Sequence, residues 1–226
     1  MIHYQKQTAI LLFAYSPEKE ANHKVFEKSK KLFQQLNQKT FEKAQKTGTD
    51  VLIITEKQQI GSSFGERFAN AIQTVFNKGY SQIITIGNDS PNLETSHLLK
   101  ALHNLENGNA TLGPSYDGGT YLIALNKEQF SLEAFKKITW NTHKVFSELK
   151  NYFVKRNTNI TQLAYLADID SKKDIYFFID QFKNSFSVLR ELIELNANKV
   201  ISFLENLYTS KSYSYSFFNK GSPITL

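Results

Sequence analysis

The chain contains no cysteine, one methionine, one tryptophan and four prolines in 226 residues. Without cysteine there can be no disulfide, no thiolate zinc site and no cysteine nucleophile, and the composition suits a reducing compartment. No apolar run approaches the ~18 residues that a membrane span needs. Met1 to Lys6 lack the basic start, apolar stretch and small-residue cleavage site of a secretory signal. The expectation is a soluble, cytoplasmic protein with no membrane partner. With 41% hydrophobic and 21% charged residues the chain has neither a disordered nor a collagen-like composition. Its length allows a continuous core in one domain, with or without an appendage.

Positive charge is in excess, with a net +6, so nucleic acid has to be considered as a partner. The lysines are scattered, however. Lys24, Lys28, Lys31, Lys39, Lys43 and Lys46 alternate with apolar residues as on the solvated face of a helix. No RNA- or DNA-binding motif accompanies them, and phosphorylated small molecules would satisfy the same charge. No nucleic-acid partner is expected.

The hydrophobic pattern predicts an α/β fold. Thr8 to Ala14 reads as a strand buried on both faces. Val25, Leu32, Leu36 and Phe41 predict a helix ending near Gly48, and Val51 to Thr55 a second buried strand. Phe64, Phe68, Ala71, Ile72 and Val75 mark the inner face of another helix, and Gln82 to Ile86 a third strand. This βαβαβ order implies a three-layer, mostly parallel sheet with right-handed crossovers. After a helix through Leu98, Leu102 and Leu105, the alternation breaks. Ala110 to Leu112 and Thr120 to Leu125 flank Asp117-Gly118-Gly119 as in a hairpin. A short helix is predicted from Ser171. A last helix follows, with an apolar stripe from Phe186 to Leu207 whose partner is the core or a second subunit, as in a homodimer. The expected division is a domain over 1–183 and a C-terminal helix and tail over 184–226.

Ligands of an open parallel sheet bind beyond the carboxyl ends of its strands, where Ser16, Gln59 to Gly61, Asp89 and Asp168 to Asp170 fall. Carboxylates on rigid strand ends suit hard cations such as Mg²⁺ or Mn²⁺, which bridge phosphates. Asp89, Asp168 and Asp170 are the expected metal ligands. Each signal also has a purely structural reading. Ser90-Pro91 suits a helix N-cap, Asp117-Gly118-Gly119 a tight turn, and Asp170-Ser171 with Asp174 a cap.

Taken in order the motifs are more specific: Gln59-x-Gly61 with Phe64-Gly65-Glu66-Arg67-Phe68, then Gly87-Asn88-Asp89-Ser90-Pro91, then Gly113-Pro114 with Asp117-Gly118-Gly119-Thr120-Tyr121. Ile138-Thr139-Trp140-Asn141-Thr142 and Leu166-Ala167-Asp168-Ile169-Asp170-Ser171 extend the series. Over residues 8 to about 180 the chain resembles bacterial glycosyltransferase-like proteins associated with radical-SAM and selenium-domain neighbours. The resemblance implies a GT-A-like fold of the nucleotide-diphospho-sugar transferase kind, similar in outline to phospholactate guanylyltransferase. It further implies a nucleotide or nucleotide-sugar donor, an acceptor and a divalent metal. The donor-binding residues would be Ser16, Lys24, Gln59, Gly61, Arg67, Asp89, Gly118, Gly119 and Trp140, with Asp117 or Glu66 as general base. Glycosyl transfer is the first expectation, nucleotidyl transfer the second, and a degenerate binding or assembly protein the third. The chain departs from the family in its first loop. Glu18 and Glu20 stand where relatives carry a phosphate-gripping Lys-Thr-Arg-Leu segment, with Lys19, His23 or Lys24 left to compensate.

Overall fold

Successive side chains of a strand point to opposite faces of a sheet, and the first strand uses both. In the computed structural model, which describes residues 6–171, 173–175 and 178, strand β1 (Lys6–Phe13) sends Ala9 and Leu11 to one face and Ile10 and Leu12 to the other. All four are buried. Such a strand belongs mid-sheet, and β1 pairs in parallel with both β2 (Asp50–Ile54) and β3 (Tyr80–Ile86).

The six-stranded order is β2-β1-β3-β5-β4-β6, with β4 at Ala110–Pro114, β5 at Thr120–Asn126 and β6 at Ile160–Gln162. β5 runs antiparallel to both β3 and β4, while β4 and β6 are parallel. The sheet is thus mostly parallel and reverses at the Asp117 hairpin, as the sequence predicts. On one face lie α3 (Phe64–Asn77), α5 (Leu132–Lys137) and α6 (Val145–Val154), through Phe68, Ile72, Val75, Phe76, Phe135, Leu149 and Phe153. On the other lie α2 (Ser29–Gln45) and α4 (Thr95–Glu106), through Ala44, Leu98, Ala101 and Leu105. Each such large buried apolar side chain contributes about 1.5–3 kcal/mol, so burial on two faces fixes the layer order. A third cluster, Leu32, Phe33 and Leu36 with Ile169, Ile175 and Phe178, clamps the closing segment onto α2.

Two expectations are corrected, and one alternative structural reading falls with them. Val51 to Thr55 is not doubly buried. β2 is the sheet edge, and Ile53 is 46% exposed. Between β1 and β2 the single helix predicted through Val25 is two helices, α1 (Pro17–His23), which ends before Val25, and α2, separated by a turn in which Lys28 has φ +60°. Val25 continues the spacing of Ser29, Leu32 and Leu36, so periodicity carries no mark of the break, yet Val25 is 82% exposed. Ser90 is not a helix cap. α4 starts at Thr95 with Glu94 as its N-cap, and Ser90 opens the turn before it, accepting from the Leu93 N–H at 3.1 Å. Residues 173–175 are helical near the predicted start at Ser171. The helix expected from Phe186 to Leu207 and the tail lie outside the described residues.

Candidate functional site

A cleft of about 630 Å³ opens beyond the carboxyl ends of β1 and β3, between the 117–121 hairpin and the closing segment. Lys24, Gln59, Arg67, Asp89, Asp117, Gly119, Trp140, Asp168 and Asp170 all line it. The sequence scan missed Tyr15 as a lining residue, although its place one residue beyond Ala14 could have flagged it.

Lys24 sits at the centre of the acidic wall. As the C-cap of α1 it donates its backbone N–H to Glu20 O at 2.7 Å, and it lines the cleft. Its Nζ lies 3.0 Å from Asp89 Oδ2, 2.8 Å from Asp170 Oδ1 and 2.9 Å from the carbonyl of Ile169. The ring of Phe33 lies 5.0 Å from the same atom. Burial opposes the charge, but Asp89 and Asp170 outweigh it and hold the ammonium well above the ordinary lysine range.

Two bonds join the end of β3 to the closing segment: Ile169 N–H donates to Asp89 O at 2.8 Å, and the Ser90 hydroxyl donates to Asp168. Burial, reinforced by the negative charge of Asp89, pushes the Asp168 carboxyl up to about 7. Asp168 therefore carries a proton far more readily than a free aspartate.

Asp117 occupies the hairpin tip, where its Oδ1 accepts from the Gly119 N–H at 2.8 Å. Gly118 has φ +89°, and a Cβ there would collide with the carbonyl of His143. Phe146 N–H donates to Gly118 O at 3.0 Å, holding the hairpin against the start of α6. Trp140, also lining the cleft, packs against Phe64 and Phe68 and donates its Nε1–H to Phe135 O at 2.7 Å. Gly65 makes room for it, since a Cβ there would lie 2.7 Å from Trp140 Cδ1.

Gln59 is unusual. Both its Nε2 and its Oε1 are buried, and no described residue meets either. The Thr120 hydroxyl, also on the cleft wall, is likewise buried and unmet. A buried amide without partners costs about 1–3 kcal/mol; because neither atom is open to solvent, a ligand with a matching donor and acceptor would meet it only once the side chain turns into the cleft. Nearby, Tyr15 stacks on His23 at 5.1 Å, and Arg67 donates to the Tyr15 hydroxyl at 3.3 Å and to Ser62 O at 3.3 Å.

Four expected site residues build the walls instead of lining the cleft. Ser16 is the N-cap of α1, accepting from Lys19 N–H and donating to Glu56. Glu66 closes the capping box of α3, accepting from Ser62 and Ser63, bonds that hold its carboxyl below the usual range. Gly61 lies tight against Glu66, and Gly118 sets the hairpin. The two first-loop glutamates part company. Glu18 is exposed and pairs with Lys30 at 2.8 Å. Glu20 is buried on the cleft wall, where burial raises its carboxyl pKa.

The expected metal ligands do not fit a divalent cation as a set. The ammonium of Lys24 holds Asp89 and Asp170, and Asp168 is bonded to Ser90 and readily protonated. Among the described residues no three His, Cys, Asp or Glu side chains converge as a metal site.

The strand order, the two helical layers and the strand-end cleft define a GT-A-like fold of the nucleotide-diphospho-sugar transferase kind. A structure from Desulfovibrio desulfuricans G20, described as a candidate nucleotide-diphospho-sugar transferase, is 24% identical, with a TM-score of 0.72 over 83% of this chain and 96% of its own. The chain itself belongs to the family described as "Uncharacterized protein conserved in bacteria (DUF2064)", which matches residues 27–142. Weaker likenesses include a 4-diphosphocytidyl-2C-methyl-D-erythritol synthase from Anaerococcus prevotii (11% identity, 76% and 96% of the two chains, TM-score 0.49). Another is Rv0371c of Mycobacterium tuberculosis in complex with manganese (10%, 75% and 95%, TM-score 0.45). At those scores neither bears on this chain's ligands. A comparison with curated proteins finds no match. No described helix is long and apolar enough to cross a membrane.

Proposed function

We propose that the chain is a transferase that binds the nucleotide part of an activated donor in the strand-end cleft, and that the group transferred is glycosyl. The observation that carries this reading is the Gln59 amide, whose donor and acceptor are both buried and unmet on the cleft wall. Turned into the cleft, the amide would pair with a nucleobase edge, whose donor and acceptor lie side by side, through both atoms at once. Arg67 has spent two of its five N–H groups on Ser62 and Tyr15 and has others for phosphate oxygens.

In glycosyl transfer an acceptor hydroxyl attacks the anomeric carbon and the nucleoside diphosphate departs. Most of the acceleration then comes from position and charge stabilisation. Asp117, oriented by the Gly119 N–H, is the group we assign to take the acceptor's proton. Glu66, committed to its cap, receives no such role. The site lies wholly within the proposed domain over 1–183. Nucleotidyl transfer ranks second because it must restrain a triphosphate, and the buried carboxylate of Glu20 on the cleft wall repels the extra charge.

Thermal denaturation with UDP, GDP and CDP tests the reading, since a ligand that binds only the folded state at 100 times its Kd adds about 2.7 kcal/mol of stability. A rise in Tm with one base above the others is expected. No shift with any of the three would overturn the proposal and favour a binding or assembly role without a nucleotide.

A further inference from the structure

We infer that Lys24 is a built-in cation: its ammonium fills the position that the carboxylates would otherwise offer a divalent metal, so that donor binding needs no metal. An ammonium has three N–H donors. Those of Lys24 are matched by three oxygens, Asp89 Oδ2 at 3.0 Å, Asp170 Oδ1 at 2.8 Å and Ile169 O at 2.9 Å. The side chain is only 15% exposed, and Phe33 presents its ring 5.0 Å from Nζ. A metal bound to the same two carboxylates, at the 2.0–2.6 Å typical of hard cations (~2.3 Å), would have to share hydrogen-bond range with this positive charge or evict it.

Eviction is opposed by the local architecture. The backbone N–H of Lys24 is tied to Glu20 O at 2.7 Å, which anchors the Cα, so the ammonium leaves only by a change of side-chain rotamer. Three charge-assisted bonds and the aromatic contact would be lost together. The arrangement also offsets part of the acidic wall's charge before any ligand arrives, one ammonium against the two carboxylates it bridges. A diphosphate would therefore meet a less repulsive wall, with Arg67 also lining the cleft. A free aspartate pair would repel it until a metal bound.

The claim about metal exclusion stands on the Lys24 geometry; the claim about donor binding rests on the proposed function. The experiment therefore has two arms. In the first, Mn²⁺ alone is titrated into wild type, Lys24→Ala, Lys24→Met and Lys24→Arg and followed by electron paramagnetic resonance. Wild type and Lys24→Arg are expected to leave Mn²⁺ free, whereas Lys24→Ala or Lys24→Met, whichever folds, binds it at least ~10-fold more tightly through Asp89 and Asp170. Mn²⁺ binding to wild type as tight as to the neutral variants would overturn the inference. So would equally tight binding to Lys24→Arg.

In the second arm, calorimetry with UDP and GDP compares wild type in EDTA and in Mn²⁺. Affinities within about twofold of each other are expected. A loss of ~10-fold or more in EDTA would overturn metal-independent binding. If neither nucleotide binds in either buffer, it is the donor reading that fails, and the first arm still decides whether Lys24 excludes the metal.

Discussion

Ser90 donates its hydroxyl to Asp168 and so joins the end of β3 to the closing segment across 78 residues of chain. The accepting carboxyl is largely buried, and its pKa rises from 3.8 to about 7 through burial first and the charge of Asp89 second, against the Ser90 bond, which lowers it. Between those values the folded state holds a proton that the unfolded state has lost. Stability that is present below about pH 4 is therefore lost progressively as pH rises through 7. Asp168→Asn cannot ionise. Relative to wild type it should be more stable at pH 8 than at pH 5 by on the order of 1–3 kcal/mol. Urea denaturation at the two pH values measures this, and an equal difference at both would contradict the assignment.

Gly118 holds φ +89° with the His143 carbonyl against it. Gly118→Ala combines a left-handed backbone with a collision, so it should cost about 1–3 kcal/mol. It should also weaken nucleotide binding by shifting Gly119 and Thr120 on the cleft wall. Denaturant unfolding gives the first effect and calorimetry the second. Full stability in the variant would show that the hairpin relaxes freely.

Trp140 is the sole tryptophan of the chain and lines the cleft. Binding of UDP or GDP should therefore alter its emission, in proportion to site occupancy. Heat of binding without any change in fluorescence would place the ligand elsewhere.

Glu18 and Glu20 are two residues apart, yet they face different surroundings. Glu18 pairs with Lys30 in solvent, and Glu20 is buried on the cleft wall. Glu20→Gln should tighten nucleotide binding roughly three- to tenfold by removing like charge from a desolvated wall. Glu18→Gln should change it less than about twofold, and less still at high salt. Equal effects of the two substitutions, measured by calorimetry at two salt concentrations, would show that Glu20 does not face the ligand.

Much of this fold is legible in the sequence because doubly buried strands and amphipathic helices leave periodic traces. The run Ala9 to Leu12 and the helix face from Phe68 to Phe76 are examples. The α1–α2 break leaves none, since Val25 keeps the spacing of α2 while Lys28 turns the backbone. β2 reads as buried because a sequence does not show on which side a strand lacks a neighbour. At the site, order along the chain is enough to gather Lys24, Asp89, Asp117, Asp168 and Asp170 at one cleft. Who pairs with whom is a three-dimensional fact. That Lys24 lies between two aspartates, or that Ser90 bonds Asp168 and caps nothing, depends on contacts spanning 65 and 78 residues. The same is true of Gln59, whose unmet amide is visible only once its surroundings are known.

The central claim is that the cleft is built to hold a nucleotide that completes Gln59, and it is tested most directly by measuring affinity and stability together in Gln59→Leu. A leucine removes two buried polar atoms that the free protein leaves unmet, so unfolding free energy should be unchanged or higher by up to about 1–3 kcal/mol. Affinity for the preferred nucleoside diphosphate, by calorimetry, should fall at least ~10-fold. Unchanged affinity in a stably folded variant would contradict the claim. So would a loss of stability large enough to account for the lost binding, because it would make Gln59 a structural residue of the free protein.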